Sequence, residues 1–126
     1  MRSVHPIIAG LDLQGVPGAS TRSSGGTIVK KAVRMMKPAE QEMFDAAVYY
    51  ELQVAGLGQA FLDRMASAVA DIGENPERWP IVMRNIRRRL VHRFPYGLFY
   101  RVDADEVVVL AVAHLHRHPT YWAKRL

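Results

Sequence analysis

Hydrophobic positions along this chain change their spacing twice. Met43, Ala47, Tyr50 and Val54, with Phe44 and Val48 beside them, recur at the three- and four-residue intervals of one helix face. Lys37-Pro38 opens that helix, because proline fits a first turn in which its missing N–H is not needed. Glu40, Glu42 and Asp45 follow where the positive end of the helix dipole favours carboxylates. Gly56-Leu57-Gly58 interrupts the pattern, and Phe61, Met65, Val69 and Ile72 restart it until Gly73 and Pro76 end a second helix. So short a break predicts an antiparallel helical hairpin. Ahead of it, Ile28 to Met36 reads as a short strand, with Val29, Val33 and Met35 among basic residues.

Beyond Trp79-Pro80 the spacing becomes two. In Ile86 to Phe94, Ile86, Leu90 and Phe94 share one strand face, and Arg87, Arg89, Val91 and Arg93 share the other. Arg88 and His92 fall on the apolar face by strict alternation, which a bulge, a twisted edge or an arginine emerging at the sheet rim would accommodate. Pro95-Tyr96-Gly97 reads as a tight turn into Leu98 to Asp103, and Asp103-Ala104-Asp105 turns again into Glu106 to Leu115. Val107 to Ala113 is apolar at both parities, as in a strand covered on both faces inside a sheet. The expected fold is therefore α+β: a helical hairpin packed on a small, mainly antiparallel sheet in the order β-α-α-β-β-β.

Length and composition narrow the picture. A chain of 126 residues suits one domain, since single cores occupy roughly 100 to 200 residues. Residues 1–27 are rich in Gly, Ser and Pro and show no sustained period, so they read as a disordered extension, and 28–126 as the folded domain. His5, Pro6, Gly10 and Asp12 break the only apolar stretch that could serve as a secretory signal. The longest apolar run is of strand length, well short of the roughly 18 to 20 residues of a membrane span, so no membrane partner is expected. The absence of cysteine excludes disulfides and thiolate metal sites and suits the cytoplasm.

Charge matters through its distribution. The net charge is +5, which favours an anionic partner. Ala39 to Glu77 carries eight acidic residues and one basic residue, whereas Arg78 to Val102 carries seven arginines and no acid. Arg84, Arg87, Arg88, Arg89, Arg93 and Arg101 would form a basic sheet surface able to hold phosphates or an acidic protein segment. The other reading is that these charges only decorate solvated faces.

Arg89-Leu90, Arg93-Phe94-Pro95-Tyr96 and the ending Ala111-Val112-Ala113-His114, continued by Arg117, Pro119, Tyr121 and Trp122, together resemble the RelE/ParE family of bacterial type II toxins. The resemblance runs from about Ile28 to Leu126. It implies the same α+β fold, a cytoplasmic toxin and a cognate antitoxin as first partner. It also implies one of two targets: DNA gyrase, inhibited by binding as in the ParE branch, or mRNA on the ribosome, cleaved as in the RelE branch. A third reading is an inactive member kept for antitoxin binding. Metal-free RNA cleavage needs a base, an acid and a cation on the phosphate, and His114, Arg117 and Tyr121 are the residues that would supply them. The other reading of His114, Pro119, Tyr121 and Trp122 is a packed C-terminal turn with no catalytic role. Leu115 stands where the RelE branch carries an arginine, and arginines replace its lysine-rich sheet, which tilts the reading toward gyrase. His114, His116 and His118 would share a face if the strand continued, but Pro119 and the lack of carboxylates after Glu106 argue against a metal site. No cofactor is expected.

Overall fold

The computed structural model describes residues 30–117 and 119–126. The expected extension over residues 1–27, and Ile28 and Val29 of the first strand, lie outside them. The elements run β1 (Ala32–Met35), α1 (Lys37–Gln53), α2 (Leu57–Glu74), β2 (Ile81–Met83), β3 (Ile86–Leu90), β4 (Tyr96–Val102), β5 (Glu106–His114) and a C-terminal 3-10 helix (Pro119–Arg125). The strands form one five-stranded sheet in the order β1-β5-β4-β3-β2. β1 runs parallel to β5 and every other pairing is antiparallel. The expected α+β architecture is present, with β2 as an additional short edge strand ahead of the three C-terminal strands. Three residues bounded by Pro80 and Arg84 are too few to display an alternation, which is why β2 escapes a sequence reading.

The helical hairpin covers one face of the sheet. Met43 and Ala47 of α1 and Phe61, Met65 and Ile72 of α2 are buried against Val33, Leu98, Tyr100, Val107 and Val109. Val54 is a correction: it is the C-cap of α1 and stands 58 % exposed, because the helix ends before its side chain reaches the sheet. At the start of α2, Gly56 has φ +90°, a left-handed conformation that glycine adopts without steric cost. The Glu51 carboxylate accepts from the N–H groups of Gly56 and Gly58, both at 2.9 Å, and so caps α2 from the preceding helix.

On the far face, away from the helices, the 3-10 helix lays Trp122 over Phe99, with ring centroids 4.9 Å apart, among Ile86, Leu110, Ala111 and Ala113. β5 is thus covered on both sides, as its unbroken apolar run requires. Its alternation breaks once. The β4–β5 register shifts between Phe99 and Tyr100, so Phe99 pairs with Ala111 and Tyr100 with Val109. This bulge sends both Leu110 and Ala111 to the far face.

The β3–β4 connection also differs from the expected turn. β3 ends at Leu90, the chain reverses through residues 91–95, and Tyr96 and Gly97 already belong to β4. Val91 donates to the Tyr96 carbonyl at 2.9 Å, closing the loop, while Arg93 takes φ +74°. Phe94 therefore leaves the β3 face altogether. It packs under the helices, 4.9 Å from the Tyr50 ring and 5.2 Å from that of Phe61. Leu90, expected in the apolar face, is 45 % exposed because the far-face cover does not extend to it.

Candidate functional site

The six arginines expected on one sheet surface divide between the two faces. Alternation along β3 turns Arg87 and Arg89 toward the helices. There Arg87 donates to the Glu77 and Trp79 carbonyls at 3.0 and 2.6 Å. Arg89 pairs with Asp71 of α2 at 2.6 Å and lies 5.0 Å from the Trp79 ring centroid. Both are tied into the fold. Arg88 shares the far face with Ile86, with no bulge in the β3–β4 register. Arg84, at φ +50° in the β2–β3 turn, and Arg101 line a broad groove on that same face, joined by Arg34 and Arg125. Arg101 is held by Asp103 at 3.1 Å, and Arg34 forms a two-pronged pair with Glu106 at 3.2 and 3.0 Å. The Arg34 hydrogen bonds hold the Glu106 carboxyl below its ordinary pKa. Arg93 is exposed at the loop after β3.

His114, Arg117 and Tyr121 come together at the end of β5. The His114 ring meets Tyr96 edge to face at 5.2 Å, and its Nδ1 accepts from the His116 N–H at 3.1 Å. The Arg117 N–H donates to the His114 carbonyl at 3.0 Å, and its guanidinium lies 3.8 Å from the Tyr121 ring centroid. The Tyr121 hydroxyl is buried with no well-formed hydrogen bond. Burial, and then the nearby Glu42 carboxylate, push its pKa up to about 12.

Glu42 is the residue that sequence reasoning placed elsewhere. β1 accompanies β5 only as far as Val109, so among the described residues no strand lies beside the remainder of that β5 edge. Glu42 Oε1 accepts from the Val112 N–H at 3.0 Å, and Arg125 donates to the Leu110 carbonyl at 3.0 Å. The two side chains then pair with each other at 2.9 Å, each only 18 % exposed. A helix carboxylate and a C-terminal guanidinium thereby substitute for missing ladder hydrogen bonds. Their partners lie 70 and 83 positions away along the chain, so no local signal marks them.

Two clefts open beside this cluster. One, of about 250 Å³, lies on the far face between Arg88, Val82, Leu115, Arg117 and Trp122. The other lies on the helix side, between Glu42, Asp45, Tyr49, Tyr96 and Arg117. His114 lines both. Among the described residues no group of three or more potential metal ligands converges; His118, part of the histidine series, lies outside them. No helix among them is long and apolar enough to cross a membrane.

Comparison with known proteins places this geometry in a family. A solved chain of the chromosomal ParDE toxin-antitoxin system from P. aeruginosa has the same fold, with a TM-score of 0.59 at 14 % identity over 69 % of this chain and 98 % of that one. No curated protein matches the sequence. Residues 33–119 match the family model described as the ParE toxin of the type II toxin-antitoxin system parDE. That match spans more than half of the chain, and the protein therefore belongs to the ParE toxin family of type II toxin-antitoxin systems.

Proposed function

We propose that this protein is a cytoplasmic toxin, neutralised by the antitoxin encoded with it, that arrests growth by binding DNA gyrase rather than by cutting mRNA. The observation that carries this reading is the state of Tyr121. A general base or acid works best with a pKa near the working pH and within reach of its substrate. The Tyr121 hydroxyl is buried, its pKa is pushed up to about 12, and Arg117 covers its ring. A phenol so placed serves packing better than proton transfer. Inhibition by binding needs no such group, only an accessible surface, and gyrase is the target that the resemblance to the ParE branch implies.

The test is a supercoiling assay with purified gyrase, run beside primer extension on an mRNA under translation, using protein that halts bacterial growth on expression. Loss of supercoiling with intact mRNA is the expected result. New mRNA ends that require ribosomes would replace this reading with nuclease action centred on Arg117 and His114. A chain that arrests nothing yet still binds the antitoxin would be an inactive family member.

A further inference from the structure

The far-face cleft is built unlike a packing defect. Its floor and walls are apolar, formed by Phe99, Trp122, Val82 and Leu115, and two guanidinium groups, Arg88 and Arg117, stand in its lining with no carboxylate among the lining residues. Among the described residues Arg88 Nε is buried without a hydrogen-bond partner, as is Nε of the ion-paired Arg89, so what sets Arg88 apart is a guanidinium with no carboxylate beside it. Among the described residues neither Arg88 nor Arg117 forms an ion pair, whereas Arg34, Arg89, Arg101 and Arg125 all do. A buried cationic donor left unpaired is costly, and the cost falls when a carboxylate meets it. Val82 and Leu115 at the rim are 41 % and 39 % exposed, so apolar surface waits beside the unpaired charge.

We infer that this cleft receives an acidic peptide segment of a protein partner: one carboxylate set against Arg88 and Arg117, with apolar side chains covering Val82 and Leu115. Charge complementarity selects this occupant. A nucleic-acid backbone would satisfy the guanidinium groups but leave the rim uncovered. The edge strand β2 bounds the cleft and ends the sheet, so an extended segment can lie alongside it. The inference rests on the toxin reading above, in which the antitoxin is the first protein partner.

The experiment uses the full chain, with short overlapping peptides spanning the antitoxin encoded beside it, each acidic peptide paired with its amide counterpart. The Arg88 Nε–Hε signal in nitrogen-15 correlation spectra and the dissociation constant are followed together. At least one acidic peptide is expected to bind and move that signal, and its amide counterpart to bind roughly tenfold to a hundredfold more weakly, as loss of a charged hydrogen bond implies. Arg88→Met should erase the difference between acid and amide. Leu115→Ala, at an exposed position, should weaken both alike. Equal binding of acid and amide, binding that leaves the Arg88 signal unmoved, or no binding by any peptide would each overturn the inference. Growth arrest on expression, relieved by the whole antitoxin, tests the toxin reading separately: arrest and rescue with an unmoved Arg88 signal sinks the cleft alone.

Discussion

Tyr100 and Tyr121 are two buried phenols that differ in one contact. The Tyr100 hydroxyl donates to the Pro76 carbonyl at 2.6 Å, anchoring the loop after α2 to the sheet. Tyr100→Phe leaves that carbonyl without its donor and should cost about 1 kcal/mol in urea denaturation. Tyr121→Phe removes a hydroxyl that makes no well-formed hydrogen bond and lies near the Glu42 carboxylate, so stability should change by less than about 1 kcal/mol. Growth arrest should persist in that variant if binding is the mechanism, and a loss of toxicity with retained folding would speak for catalysis. Burial is the first cause of both raised pKa values, each about 12. A phenol whose folded pKa exceeds its unfolded one contributes stability that is complete below the unfolded pKa and disappears as pH rises through the folded one. Stability should therefore fall between about pH 10 and about pH 12. Tyrosinate absorbance at 295 nm should show these two groups ionising only as the chain unfolds, and early ionisation of either would contradict its burial. Glu42 carries more than a surface charge: Glu42→Ala would orphan the Val112 N–H and leave Arg125 unpaired, and a loss of roughly 2 to 4 kcal/mol is expected.

Close approach at one turn holds the helical hairpin together. A Cβ on Gly58 would lie 2.5 Å from the Ala47 carbonyl oxygen, an atom of the α1 backbone that cannot step aside. Gly58→Ala must therefore push the helices apart, and a cost of about 1 to 3 kcal/mol is expected. Glu51→Ala removes the cap from α2 and should cost about 1 kcal/mol. Thermal melts of the two variants distinguish the effects, since only Gly58→Ala disturbs packing between the helices. The Gly-Leu-Gly break was legible in the sequence because glycine punctuates helices for local steric reasons. That one glycine serves a left-handed turn and the other a close contact was not, because Gly56 and Gly58 look alike until α1 is set beside them. Likewise the expected Pro95-Tyr96-Gly97 turn is displaced to residues 91–95, and Tyr96 becomes the first residue of β4, packed beside Phe61 and His114.

Over the described residues, the molecule is a sheet with two unequal coverings: a helical hairpin on one side and the short 3-10 helix bearing Trp122 on the other. Trp122 is 1 % exposed and is the largest side chain of the smaller core. Trp122→Ala should cost roughly 3 to 5 kcal/mol and unmake the far-face cleft, since the indole forms part of its wall. Denaturation curves combined with peptide binding would register both effects. Leu115→Ala on the same cleft should leave the denaturation midpoint nearly unchanged, and a large drop there would mean that the rim is structural.

The order of the elements other than β2 and the 3-10 helix, the helical hairpin and the two-sided burial of β5 were determined by the sequence itself, because periods of 3.6 and 2 arise from neighbours along the chain. The family was legible for a related reason: the Arg-Leu, Phe-Pro-Tyr and His-to-Trp signals stand at fixed intervals. Tertiary structure decided what depends on distant partners. It set β1 parallel to β5, placed the bulge at Leu110 and Ala111, and brought Glu42 to Arg125 across the open edge of β5. It also separated arginines that look equivalent in a row. Arg87 and Arg89 are consumed by Trp79 and Asp71, while Arg88, one step out of phase, is left in an apolar cleft without a counter-charge. A single residue of strand phase made that difference, and only the faces packed against β3 could reveal it.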